Sequence, residues 1–297
     1  MNNTLLHWLL AAFAPIVWGS TYFVTQKWLP GADPVWVAAV RVGIPAVFMV
    51  WLVPLRVWRE FGVRLLMMSA LNITLFTSLL FYSISTLPGG VAATLVSTLP
   101  LQVIVLRFLM GKGAEPAHVI AALGGVAGVG MLLWRADAPL DVSGVTAALA
   151  AAFVMASGIL LASQYSADIQ PLQLTAAQIS LGGVCLFVLA ILSGHPFPEV
   201  TDEGVFAMLW MGPVGMGVAY WSWFRAMRSV PVHKLAFLGL LNPVVAVFGG
   251  VLLMEEVLSG GQVVAMMIIL ACILCAQLAG RRQAGTKPAE YILNRQK

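Results

Sequence analysis

Ten apolar stretches, each close to the length of one membrane-spanning helix, follow one another along a chain of 297 residues. They lie at about 5–26, 34–55, 63–86, 89–109, 116–134, 143–164, 171–193, 204–226, 231–253 and 260–280. Crossing the hydrocarbon core takes about 20 apolar residues, and a segment inside it must satisfy its own backbone, so these stretches read as helices. They leave short loops and no room for a second, soluble domain. Charged residues make up only 9% of the sequence, against roughly a quarter in a soluble domain. A soluble globular enzyme, a disordered chain and a disulfide-rich secreted domain are therefore excluded. The expected fold class is all-α membrane. The net charge of +4 is read as a property of loops, so no nucleic-acid partner is expected.

Loop residues punctuate the stretches. Pro30, Gly31, Asp33 and Pro34 separate the first two, Pro88, Gly89 and Gly90 the third and fourth, and Pro196 and Pro198 follow the seventh, while Pro231 opens the ninth. No basic segment and no A-x-A site precede the first stretch, so it is expected to be a retained helix. Cys185, Cys272 and Cys275 all fall in apolar runs and read as small buried hydrophobes, the C-x-x-C spacing included. The cluster Gly124, Gly125, Gly128 and Gly130 has no preceding strand and reads as helix packing instead of a nucleotide loop.

With the N-terminus in the cytoplasm, 13 of the 16 Lys and Arg residues fall on the cytoplasmic side and two, Lys27 and Arg135, outside. That asymmetry predicts both termini inside. Trp8, Trp28, Trp36, Trp51, Trp58 and Trp134 lie near span ends, as an interfacial belt requires. The halves also resemble each other. A shift of 143 places Pro100 on Pro243, Pro88 on Pro231, Ser20 on Ser163 and Tyr22 on Tyr165; a shift of 137 places Pro34 on Pro171 and Arg41 on Gln178. Five spans per half make such a repeat inverted: 1–138, then 139–282, with 283–297 a cytoplasmic tail. Inverted repeats are a transporter architecture with the substrate near the midplane.

All twelve Asp and Glu residues lie in loops or at span edges, and His7, His118, His195 and His233 near span ends. Intramembrane carboxylates are the usual proton relays and cation partners, so carboxylate-driven proton coupling is not expected. Pro15, Pro100 and Pro243 lie inside spans, where proline kinks a helix. The pair Pro100 and Pro243 reads either as two hinges or as static packing kinks. Thr74, Ser78, Tyr82 and Ser85 share one helix face, as do Thr94, Ser97, Thr98 and Gln102. These faces meet either water in a cavity or a neighbouring helix, and their hydroxyls can also bond their own helix. Trp18 and Tyr22 share a face of the first span, and Tyr220 and Trp223 one of the eighth. Arg41 lies seven residues inside the second span. It is either an anchor for a substrate anion or a snorkelling, structural charge.

The motifs Trp18-Gly19-Ser20-Thr21-Tyr22, Arg41-Val42, Phe81-Tyr82 through Pro88 with Ala92-Ala93, Leu99-Pro100, and Leu241-Asn242-Pro243 before Gly249-Gly250 and Glu255-Glu256 occur in this order. The chain thereby resembles the EamA family of the drug/metabolite transporter superfamily across all ten spans, and within it the bacterial aromatic amino acid exporters most. The resemblance implies ten helices as two inverted five-helix repeats and a cavity lined mainly by spans 1, 3, 4, 6, 8 and 9. It implies export of amino acids, aromatic and other neutral ones, and related metabolites from the cytoplasm across the bacterial inner membrane by alternating access. The first-span glutamate of small multidrug relatives is missing here.

The expected substrate site has an aromatic wall of Trp18, Phe76, Tyr82, Tyr220 and Trp223. Asn72, Thr98, Gln102, Gln164 and Asn242 supply hydrogen bonds, Pro100 and Pro243 the hinges, and Arg41 the anion anchor. No catalytic residue, metal or cofactor is called for. The expected partners are a small-molecule substrate and membrane lipids, and the chain is expected to be a monomer. The competing readings are proton antiport of other metabolites or drugs, a channel, and an integral-membrane enzyme acting on a lipid. The last would need an acid, base or metal set, and Glu255-Glu256 has no histidine nearby in sequence.

Overall fold

The computed structural model describes residues 3–111, 116–134, 140–164, 169–227, 238–239 and 241–284. Tyr165, Pro231, Arg135 and the tail from 285 lie outside them. Every regular element among the described residues is helical. Helix α1 (Asn3–Trp28) keeps Pro15 in its interior. It ends at a turn where Gly31 takes a positive φ of 71°. Asp33 starts α2 (Pro34–Met49): its Oδ1 accepts the backbone N–H groups of Val35 and Trp36 at 3.0 and 2.9 Å. Pro34 occupies the first turn, where no N–H is needed. After a short 3-10 turn, Val50–Leu52, helix α3 (Leu55–Ser69), a π-helical segment (Ala70–Leu75) and α4 (Phe76–Thr86) form one continuous rod of 32 residues.

The fourth stretch is divided. Helix α5 (Gly89–Val96) and α6 (Leu99–Leu109) meet at Ser97–Thr98. The sequence leads one to expect a kinked, continuous helix at Pro100. The chain instead breaks just before the proline, which then sits in the first turn of α6 and costs no hydrogen bond. The rest of the chain is α7 (Pro116–Trp134), α8 (Val142–Ser163), α9 (Pro171–Leu192), α10 (Asp202–Leu209), a second π-helical segment (Trp210–Val218), α11 (Ala219–Met227), α12 (Leu241–Leu253) and α13 (Gly260–Ala284). Pro243 lies in the first turn of α12, as Pro100 does in α6.

Among the described residues seven stretches are long and apolar enough to cross a membrane, and three shorter apolar helices, Pro116–Leu132, Leu241–Leu253 and Gly260–Cys275, lie beside them. The protein is thus an all-α, multi-pass membrane protein. Helix α2 runs along α9, α7 along α13, and α1 between α11 and α12; α4 and α6 both pack on α8, and α5 lies between α8 and α12. Lipid is as apolar as leucine, so such helices associate through close packing at small residues. Gly19 sets α1 against the Asn242 carbonyl of α12, and Gly43 sets α2 against the Phe187 ring of α9. Gly124 and Gly128 set α7 against Cys272 and Ile269 of α13, while Gly125 faces Leu101. Nothing lies within 4 Å of a methyl group placed on Gly130.

Asp141 caps α8. It accepts the Ser143 hydroxyl and, at 2.7 Å, the Gly144 N–H, and these bonds hold its carboxyl below the usual range of about 3.8. A carboxyl lowered in the folded state stabilises above its unfolded value, and that contribution fades as pH falls through the folded one. We expect the amides at the start of α8 to lose hydrogen-exchange protection below pH ~4. In Asp141→Asn their protection should be independent of pH across the same range. Equal acid sensitivity in both proteins would place the titrating group elsewhere.

Candidate functional site

A cavity of about 1530 Å³ opens at the end of the bundle that carries the Gly31 turn and the 195–201 loop. Its rim is polar, with Lys27, Asp33, Glu199 and Glu203; Gln26, Val37, Phe81 and Ile84 line it as well. The loop is pinned over α2. Trp36 donates its indole N–H to the His195 carbonyl at 3.0 Å, and His195 Nδ1 lies 2.6 Å from Asp33 Oδ2. The Trp36 and Phe197 rings meet edge-on at 5.0 Å. Gln26 crosses from α1 to α4, donating to the Leu87 carbonyl at 2.8 Å and that of Ile84 at 3.2 Å.

Next to the lining residue Phe81 lies Arg41. Its guanidinium sits 5.4 Å from the Phe81 ring. The side chain is 6% exposed, and its Nε–H is buried without an acceptor. The phenols of Tyr22 and Tyr220 come within electrostatic reach of it. Tyr220 in turn joins an aromatic cluster, with Trp18 at 5.1 Å; Trp18 lies 5.8 Å from Trp223. The second π-helical segment builds this corner. A π turn changes the α hydrogen-bond pattern locally, and such turns are frequent at functional sites. Here the Gly215 carbonyl accepts the Trp18 indole N–H at 2.8 Å, and Trp210 donates to the Ser20 hydroxyl at 2.7 Å. Gly212 lets the same segment approach the backbone carbonyl of Arg41.

Trp18, Tyr220, Trp223 and Arg41 therefore belong to one neighbourhood formed by α1, α2, α11 and the rod. The other sequence-derived candidates lie in separate places. Asn72, in the first π-helical segment, donates to Gln178 Oε1 at 2.7 Å, facing α9 and Gly158 of α8. Phe76 follows it, half-buried. Tyr82 is 42% exposed and shares a hydrogen bond of 2.9 Å with Ser143. Thr98 and Gln102 bond each other at 3.1 Å, and Gln102 also donates to the Leu149 carbonyl. Gln164 is exposed at the end of α8, and Asn242 opens α12 against Gly19.

The two polar stripes differ. Thr94, Ser97 and Thr98 all donate to carbonyls of their own helix at 2.7–2.8 Å. The hydroxyls of Thr74 and Ser78 are buried with no partner. Three residues of this region escaped sequence reasoning as site residues. Gln26 was hidden because its partners lie on another helix. Phe81 stood inside a motif without a role. Glu256 read as half of a loop acidic pair. It in fact accepts the Gly89 N–H at 2.6 Å, with the Gly90 N–H at 3.5 Å, so a carboxylate from the loop before α13 caps α5. The doubled glycine at a helix start was the available signal.

The model of the EamA-like transporter family matches the chain twice, over residues 6–134 and 142–277. Protein PecM of Dickeya dadantii is 34% identical over 290 residues, which cover 94% of this chain and 96% of PecM. The uncharacterized inner membrane transporter YedA of Escherichia coli K12 is 24% identical over 269 residues, covering 89% and 88%. A solved crystal structure superposes with a TM-score of 0.63 at 21% identity over 93% of this chain and 98% of its own, a likeness of fold alone. A family model spanning nearly the whole chain in two copies, together with a relative of this identity and coverage, makes the chain a member of the EamA-like transporter family.

Proposed function

We propose that this transporter exports amino acids, aromatic and other neutral ones, and related small metabolites across the bacterial inner membrane. Ten spans form two inverted five-helix halves with both termini in the cytoplasm, and the site is exposed to each side in turn. The observation that carries this reading is the meeting of the Trp18, Tyr220 and Trp223 rings between α1 and α11, with Arg41 near Tyr220 and Phe81, a lining residue of the large cavity. Ring faces with few polar groups suit a small amphipathic solute.

The two-halves arrangement is supported by the double family match and by the helix pairing. Exchanging the first five stretches with the last five maps the α1–α12 contact onto α8–α6 and the α4–α8 contact onto α11–α1. The π-helical segments also correspond, since a shift of 143 carries Ala70–Leu75 into Trp210–Val218. On this reading the large cavity faces outward. With every carboxylate in a loop or at a span edge, movement on this reading follows the solute gradient.

Counterflow tests the proposal. Proteoliposomes loaded with unlabelled phenylalanine, methionine or threonine should transiently accumulate the labelled amino acid from outside. The initial rate should be the same with and without a pH gradient. Strict dependence on that gradient would overturn the uncoupled mechanism, and no accumulation of any of the three would remove neutral amino acids as substrates.

A further inference from the structure

Among the described residues, the buried side-chain polar atoms without a partner are Gln26 Oε1, Arg41 Nε, Asn72 Oδ1, Thr74 Oγ1 and Ser78 Oγ. All belong to the first three stretches of the chain. Arg41 alone among these side chains carries a charge, and no Asp or Glu lies within any stretch to neutralise it. A buried charge left unpaired is far more costly than a buried amide. The position related to Arg41 in the second half holds a neutral side chain with partners of its own. There Gln178 accepts from Asn72 at 2.7 Å and donates to the Leu174 carbonyl at 3.3 Å. Beside Arg41, among the described residues, lie the Phe81 ring and the phenols of Tyr22 and Tyr220, and its Nε–H has no acceptor.

Phe81 and Val37, one turn from Arg41 on α2, both line the large cavity. On the rod, Thr74, Ser78 and Phe81 recur at helical spacing and share a face. An anion that passed Phe81 from the cavity would meet the guanidinium behind it. An ammonium group finds dipoles there but no opposite charge.

We propose that Arg41 receives the carboxylate of the transported solute and that the carboxylate, not the amine, is the recognised group. The substrate class is then apolar and aromatic monocarboxylates, of which amino acids are one subset. This rests on the transport reading above and narrows it.

The test uses the full chain in proteoliposomes with three related probes: phenylalanine, 3-phenylpropanoate, which lacks the amine, and phenethylamine, which lacks the carboxylate. Thermal unfolding in detergent with each probe provides a readout independent of transport. The expected result is exchange of labelled 3-phenylpropanoate and a raised unfolding temperature with it, and neither with phenethylamine. Arg41→Lys should weaken the acid about tenfold, and Arg41→Gln at least 100-fold. Arg41→Gln should unfold at the wild-type temperature or above, because it removes an unpaired buried charge, whereas loss of a structural arginine would lower it. Exchange of 3-phenylpropanoate without phenylalanine would leave the carboxylate site standing and overturn amino-acid transport. Exchange of phenylalanine without 3-phenylpropanoate would do the reverse. Competition by phenethylamine, unchanged acid binding in Arg41→Gln, or no response to any probe would overturn the proposal.

Discussion

Valine at Gly19 should push the first helix away from the ninth stretch and destabilise the folded transporter. A β-carbon there would run into the Asn242 carbonyl oxygen and lie 2.9 Å from the Val245 β-carbon. A backbone carbonyl in the first turn of a helix does not swing aside as a side chain does. Overpacking costs about 1–3 kcal/mol even where side chains can adjust, and this site is at the upper end. In a chain of this size that corresponds to a fall of roughly 5–10 °C in the unfolding midpoint. Counterflow should be lost with it, because Trp18 precedes Gly19 and depends on the same helix placement. The control is Gly217→Ala, where nothing lies within 4 Å of the added methyl and the midpoint should hold or rise slightly. A Gly19→Val protein with the wild-type midpoint would show that the two helices do not touch there.

The second large effect is expected at Trp18. Alanine removes the ring contacts to Tyr220 and Trp223 and leaves the Gly215 carbonyl without its indole donor. Each ring pair contributes about 0.5–1.5 kcal/mol and the hydrogen bond about 1. Those contacts hold the wall in place; a solute that itself loses about 2 kcal/mol of contact with the displaced wall half-saturates counterflow at roughly a 30-fold higher concentration. Trp18→Phe keeps a ring but not the donor and should cost about three- to tenfold. An alanine variant that saturates at the wild-type concentration would take the aromatic cluster out of the substrate site.

Much of the architecture was legible because membrane helices announce themselves. Prolines, glycines and Asp33 mark the stretch ends in the sequence, and the structure turns at Gly31 and caps at Asp33 where they stand. The π-helical segments were not legible. A π turn is rare and is set by packing instead of by a residue pattern, so Ala70–Leu75 and Trp210–Val218 look like any other apolar run. The division at Ser97–Thr98 was half visible: Pro100 signalled a disturbance but not whether it would be a kink or a gap. At the site, Arg41 stood out because a charge in a span is rare, and Trp18 with Tyr220 and Trp223 because aromatics shared a face. What periodicity does not convey is which face meets which. Tyr82 and Ser78 are neighbours on one stripe, yet Tyr82 is exposed against Ser143 and the Ser78 hydroxyl is buried. Glu256 reaches across 167 residues to Gly89, a distance no local pattern encodes.

The paired π segments have a mechanical meaning best put in the language of crystal plasticity. A π turn in an α-helix is a dislocation, one surplus residue in an otherwise regular lattice. It can glide along the rod by exchanging one hydrogen bond at a time, without breaking the rod as a whole. Every residue it passes is turned by about 100° and moved by about 1.5 Å. Gliding by a single turn would carry Asn72 or Gly215 from one neighbour to another while both ends of the rod stay anchored. Two such defects, at Ala70–Leu75 and Trp210–Val218, would let the bundle change what faces its interior through small local slips, with no helix swinging as a rigid lever.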